Sequence, residues 1–193
     1  MKYKRIYLLF LIFGTCILLS SVAAIAESEE PVYGKSLRVA LPNEPTGLDP
    51  RVNTSATIDR VVYNNVYEGL VKFNRKGKIV PGLASNWSLS EDSKSYIFYL
   101  RKDVYFHDGD DCTASDVIYT FRKNMESKEI VNSKYYRPID NIKSIDKYTV
   151  KIELTEPNSM FLFNLARGDS IIVSENNKGD LQSRPVGTGP FKF

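Results

Sequence analysis

The sequence predicts a mixed fold, α/β or α+β, in which helices and strands succeed one another without strict βαβ alternation. Three stretches carry that expectation. Residues 147–157, KYTVKIELTEP, put Tyr148, Val150, Ile152 and Leu154 on one side and Thr149, Lys151, Glu153 and Thr155 on the other, the two-residue period of a half-buried strand. Residues 95–101, SYIFYLR, gather aromatic and branched side chains as strands do. Between them Val117, Phe121 and Met125 recur every fourth residue, one face of a helix.

The N-terminus stands apart from this pattern. Lys2, Lys4 and Arg5 precede an apolar run from Ile6 to Leu19 and a small-residue exit at Ala24-Ile25-Ala26. That layout is a secretory signal, with cleavage expected after Ala26. The alternatives are an uncleaved anchor, since the run approaches the roughly 20 residues of a spanning helix, and a lipid-bearing Cys16. The three basic residues account for the whole excess of 26 Lys and Arg over 23 Asp and Glu. Residues 27–193 are therefore near neutral and offer no basic field for nucleic acid or anionic lipid. Of the two cysteines only Cys112 remains after cleavage, so no internal disulfide is expected. A chain of this size can bury one good core.

Element by element, KSLRVAL (35–41) alternates as a strand, and PNEPTGLDP (42–50) is a loop stiffened by three prolines. From Thr57, the spacing of Ile58, Val61, Val62, Val66 and Leu70 predicts a helix that leaves at Gly69. LVKFNRKGKIVP (70–81) reads as a hairpin turning at Gly77. Val104 and Phe106 suggest a further strand, SMFLFNLA (159–166) a short apolar helix, and PVGTGPFKF (185–193) the start of another alternating strand.

The stretch VYFHDGDDCTASDVIYTF (104–121) holds His107, Cys112 and four aspartates. A zinc site needs three or four converging ligands, and no second His or Cys follows residue 26. An EF-hand loop fails because Gly109 is misplaced and Asp111-Cys112 interrupt the oxygen ligands. A Cys112 nucleophile needs a base set against it. The turn-and-cap reading uses more of the residues: aspartates and glycine make a turn, and Thr113 with Asp116 makes an N-terminal box for the following helix.

GLASNWSLSEDSKSYIFYLRKDVYFHDGDDCTASDVIYTF (82–121) resembles the signature region of the extracellular solute-binding proteins of family 5, the dipeptide-, oligopeptide- and nickel-binding components of ABC importers. The resemblance extends to YEGLVKF (67–73), LDP (48–50) and PVGTGPFKF. Asp103, where a glycine is usual, and Cys112, at an apolar position, depart from it. It implies a periplasmic binding protein-like fold of type II. Residues 1–26 would be the signal peptide, 27–66 the start of lobe I, 67–160 a family-specific subdomain, and 161–193 the return to lobe I. Complete members continue well beyond the Gly-Thr-Gly-Pro block, so the chain is expected to represent a truncated copy that binds peptide weakly or not at all by itself.

The resemblance further implies a periplasmic monomer that binds a peptide or other small solute and delivers it to an inner-membrane ABC permease, without nucleic acid, metal, cofactor or catalytic residue. Glu44, Pro45, Thr46 and Gly47 are the expected ligand-side residues, because in relatives this loop follows the first strand and faces the cleft; a purely structural turn is the competing reading. Trp87 is expected in the core, Arg101 in an ion pair or carbonyl contact, and His107 in a turn. Rival readings keep the scaffold with a nickel-chelate, haem or sugar ligand, take the chain as a non-functional fragment, make a small exported enzyme of His107 and Cys112, or make a stand-alone adhesion or signalling domain.

Overall fold

The computed structural model describes Gly34 and residues 38–53, 55–177 and 179–193; the stretch read as an export signal, Cys16 included, lies outside the described residues. The chain divides into a unit of residues 1–40 and a unit of residues 41–193. In the first, residues 38–40 are in no strand and Val39 is 67% exposed. The strand expected over 35–41 is thus absent from its described part. Alternation alone cannot hold a strand, whose N–H and C=O groups need a bonded neighbour.

The second unit is built on antiparallel strands. β1 (Val71–Phe73) and β2 (Ile79–Pro81) form the expected hairpin, with Gly77 at φ +71°. β3 (Ala84–Leu89), β4 (Ser95–Leu100), β5 (Ile139–Asp146) and β6 (Thr149–Leu154) make a four-stranded sheet ordered β3-β4-β6-β5. The two strands with the clearest pattern, β4 and β6, are its centre: Tyr96 pairs with Ile152 and Phe98 with Val150, all buried. Thr149, expected to face outward, is buried as well.

Among the described residues three α-helices accompany the strands: α1 (Ala56–Val62), α2 (Ala114–Glu126) and α3 (Phe161–Leu165). α2 begins as its sequence requires. The Thr113 N–H donates to Asp116 Oδ2 at 2.8 Å, while Asp116 Oδ1 accepts from the Glu175 N–H at 3.0 Å. A carboxylate buried at the first turn is thereby satisfied on both oxygens, and the helix dipole favours its charge. Val117 and Phe121 then pack into the main core with Phe98, Val150, Ile152 and Phe161, and Met125 lies half-buried against it. Trp87 is likewise half-buried against this core.

α1 stops earlier than the spacing implies. Val66 and Tyr67 both donate to the Val62 carbonyl at 2.9 Å, and Asn64 takes φ +58°, so a tight turn ends the helix. Gly69 is needed for close approach instead: a Cβ there would lie 2.8 Å from the Ser170 carbonyl. Residues 104–112 form a closed loop rather than a second strand. Cys112 donates to Val104 O and Phe106 to Asp110 O, joined only by a Tyr105–Asp111 bridge. No strand forms over 185–193 either.

Candidate functional site

The loop expected to face ligand is stiff and anchored from behind. Pro42, Pro45 and Pro50 each restrict φ. Glu44 and Thr46 are exposed, Pro45 and Gly47 half-buried. Thr46 Oγ1 accepts from Asn53 Nδ2. Behind the loop, Gln182 accepts from the Leu48 N–H through its carbonyl at 3.0 Å and from the Asp49 N–H through Oε1 at 3.4 Å. Its amide sits on Gly47 so closely that a Cβ there would fall 2.0 Å from Gln182 Oε1.

Asp49 then grips Arg51 in a two-pronged ion pair, Nη2 to Oδ2 at 2.7 Å and Nε to Oδ1 at 3.0 Å, with both side chains nearly buried. Burial opposes the Arg51 charge, but the Asp49 bond and charge outweigh it and hold the guanidinium above its ordinary value. A cleft of about 700 Å³ opens beside the pair, lined by Asp49, Arg51, Lys123, Asp180, Leu181 and Gln182 among others. None of Glu44, Pro45, Thr46 and Gly47 lines it. Pattern reasoning missed Gln182 because nothing local marks a residue so far along the chain; the Asp-x-Arg spacing was the one available hint of the ion pair.

The other motif blocks converge on a second place. The chain's single histidine uses both ring nitrogens on the glycine block: Nε2 donates to Gly189 O at 2.8 Å, and Nδ1 accepts from the Gly187 N–H at 3.3 Å. A carbonyl can only accept and an amide N–H only donate, which assigns the proton to Nε2. Glu68 Oε2, nearly buried, accepts from Arg101 Nη2 at 3.1 Å and from Thr188 Oγ1 at 3.2 Å. The glycines lie flat on backbone, since a Cβ on Gly187 would meet Val66 O at 2.0 Å and one on Gly189 would meet Asn65 O at 2.3 Å. YEGL, the strand-end arginine, HDG and GTG are therefore one interlocked joint.

That joint leaves no ring nitrogen of His107 for Cys112. Burial, followed by the charge of Asp116, pushes the Cys112 thiol far up, so it stays protonated, the opposite of an activated nucleophile. Among the described residues, no group of three or more His, Cys, Asp or Glu is placed to hold a metal ion.

Solved structures similar in fold to this chain include bacterial periplasmic binding proteins. The periplasmic binding protein DppA from Helicobacter pylori, in complex with the peptide STSA, matches with TM-score 0.67 and 32% identity over 76% of this chain and 34% of that one. NikZ from Campylobacter jejuni in complex with Ni(L-His) matches with TM-score 0.65 and 29% identity, over 78% of this chain and 31% of that one. The family model of the bacterial extracellular solute-binding proteins, family 5 Middle, matches residues 78–193, and the chain belongs to that family.

Its relatives include Di/tripeptide-binding protein 1 of Pseudomonas aeruginosa, 30% identical over 89% of this chain and 37% of that protein. Heme-binding protein A of Haemophilus influenzae is 30% identical over 77% of this chain and 32% of that protein. The chain spans between a third and two-fifths of the length of such relatives.

Proposed function

We propose that the chain is the substrate-binding component of an ABC importer for peptides, exported by its N-terminal signal and acting in the periplasm. Residues 27–66 and 161–193 belong to one lobe and residues 67–160 to a subdomain beside it. Glu44, Pro45, Thr46 and Gly47 meet the ligand. The observation that carries this reading is the loop itself, solvent-facing at Glu44 and Thr46 yet pinned from behind by Gln182. The relatives named for dipeptides and di/tripeptides support the ligand class.

Prolines and the Gln182 anchor lower the cost of ordering this loop around a guest. All peptides share the same main-chain donors and acceptors, so a loop that bonds to them accepts many sequences. Closure of a second lobe over the guest then shifts the population toward the form that docks on the permease. Residues 27–193 supply one wall of that cleft, and binding to them alone is weak. Titrating millimolar Ala-Ala should shift the backbone amide resonances of residues 44, 46 and 47 with fast exchange. Shifts confined to other residues would overturn the site, and micromolar affinity would overturn the one-wall arrangement. The relative named for haem favours a second reading, a non-peptide guest on the same scaffold; a haemin titration producing a Soret shift would select it.

A further inference from the structure

The near neutrality of residues 27–193 hides a local segregation of charge. Between Glu68 and Glu91 the chain carries Lys72, Arg75, Lys76 and Lys78 and no carboxylate. Three of the four cations sit in the turn of the β1–β2 hairpin, where residues 74–78 are all exposed. The turn is firmly built: the Asn74 N–H donates to Lys78 O at 2.9 Å, and Asn74 Oδ1 accepts from the Lys76 and Lys78 N–H groups at 2.9 and 3.0 Å. A Cβ on Gly77 would meet nothing within 4 Å, so the tip projects into open space. Among the described residues these four cations take part in no ion pair, whereas Lys143, Lys147 and Lys151 each do.

Apolar surface adjoins the turn. Phe73, the last residue of β1, holds its ring 5.0 Å from that of Phe163 in α3, centroid to centroid. Phe163 nonetheless exposes 42% of its surface, and Met160 exposes 51%. Met160 has helical backbone at the start of α3, and three residues put it on the same face as Phe163. Between Glu156 and Asp169 the chain again has no carboxylate. Neither the hairpin nor α3 therefore supplies a counter-charge where the two meet.

We propose that this corner is a membrane-contact site: the hairpin turn meets the phosphate headgroups of an anionic bilayer, while Phe163 and Met160 enter the headgroup boundary. Unpaired cations complement an anionic lipid surface, and exposed apolar side chains beside them fit its margin. An acidic protein would match the charge equally. A specific protein interface, however, needs upward of ~1,000 Å² of matched surface, whereas a bilayer accepts a projecting turn without a complementary pocket. Each cation near such a surface favours binding by about fivefold. Three or four of them give a reversible contact and not an anchor. Such a contact holds an exported chain close to the bilayer, whatever solute it carries.

Lysine acylation of the full chain, read site by site by mass spectrometry, tests this. The probes are phosphatidylcholine vesicles with about 30% phosphatidylglycerol, vesicles of phosphatidylcholine alone, and soluble polyglutamate. Lys76 and Lys78 should acylate about five- to tenfold more slowly on the anionic vesicles than on the neutral ones. Lys143, on the sheet face away from α3, should be unchanged. That comparison within one molecule separates the corner from any binding by the N-terminal apolar run. Arg75→Glu, at the exposed turn, should abolish the slowing, Phe163→Ser should about halve it, and about 500 mM salt should remove it. Equal acylation of Lys76 and Lys78 on both kinds of vesicle, or slowing shared by Lys143, would overturn the proposal. Slowing by polyglutamate as large as that by anionic vesicles, and indifferent to Phe163→Ser, would overturn it in favour of an acidic protein.

Discussion

The β3–β6 sheet with α2 and the joint formed by residues 57–70 with 171–191 sit in one unit but are held by different means. The sheet buries Tyr96, Phe98, Phe121, Val150 and Ile152 in one core, contributed by strands and a helix whose patterns are local. The joint has a smaller core of Ile58, Val62, Val66, Tyr67, Ile171 and Val173. Beside the side-chain bonds of His107 and Glu68, it is held by backbone: Gly189 donates to Val66 O and Phe191 to Asn65 O at 2.9 Å, and Ile172 donates to Glu68 O at 2.9 Å. Apolar burial tolerates small adjustments of volume. Backbone lying on backbone does not, because a single methyl fills the space between the two chains.

The two regions should therefore fail differently. Phe98→Ala empties the centre of the larger core and should cost about 3–5 kcal/mol. Urea denaturation would show it as a loss of the whole transition, both regions together. Gly187→Ala should cost less, about 2–3 kcal/mol, but act locally: exchange at residues 187–191 accelerates while β4 and β6 keep their protection. Equal acceleration in the sheet would erase the distinction between the regions. His107→Ala removes two side-chain bonds without adding bulk, and a loss of about 1–2 kcal/mol is expected, again read at residues 187–189 by exchange.

The smallest effect concerns Asp59, at the margin of the joint. Burial first, then the nearby Asp169, raise its carboxyl pKa, and Arg167 offsets this only in part. A carboxyl raised in the folded state opposes folding when ionised, and that penalty disappears as pH falls through the raised value. Asp59→Asn should therefore raise the melting temperature slightly at pH 7, and the gain should shrink as the pH is lowered toward about 4. A gain that grows on acidification would reverse the sign of the effect.

Much of the sheet was legible. Aromatic and branched composition marked β4, alternation marked β6, Gly77 marked the hairpin, and Thr113 with Asp116 marked the start of α2. The edge strands β3 and β5 were not, since each faces solvent along much of its length and alternates weakly. The strands expected over 104–106 and 185–193, and the described part (38–41) of the one expected over 35–41, failed for a shared reason: alternation describes a side chain's preference for a surface and says nothing about whether a neighbour is present to bond. At the candidate loop, prolines advertised stiffness. Nothing in PNEPTGLDP announced that Gln182 would anchor it.

From the linear order of residues alone came the mixed class, the capped helix, the scaffold role of the HDGDD turn and the family resemblance, because each rests on spacing within one turn, one strand or one motif. The tertiary structure alone decided that His107, Glu68 and Arg101 meet the Gly-Thr-Gly block, that Asp49 and Arg51 border a cleft, and that β3 comes first in the strand order of the sheet. Those facts depend on segments brought together from distant parts of the chain, and no local periodicity encodes which carbonyl a remote glycine will lie against.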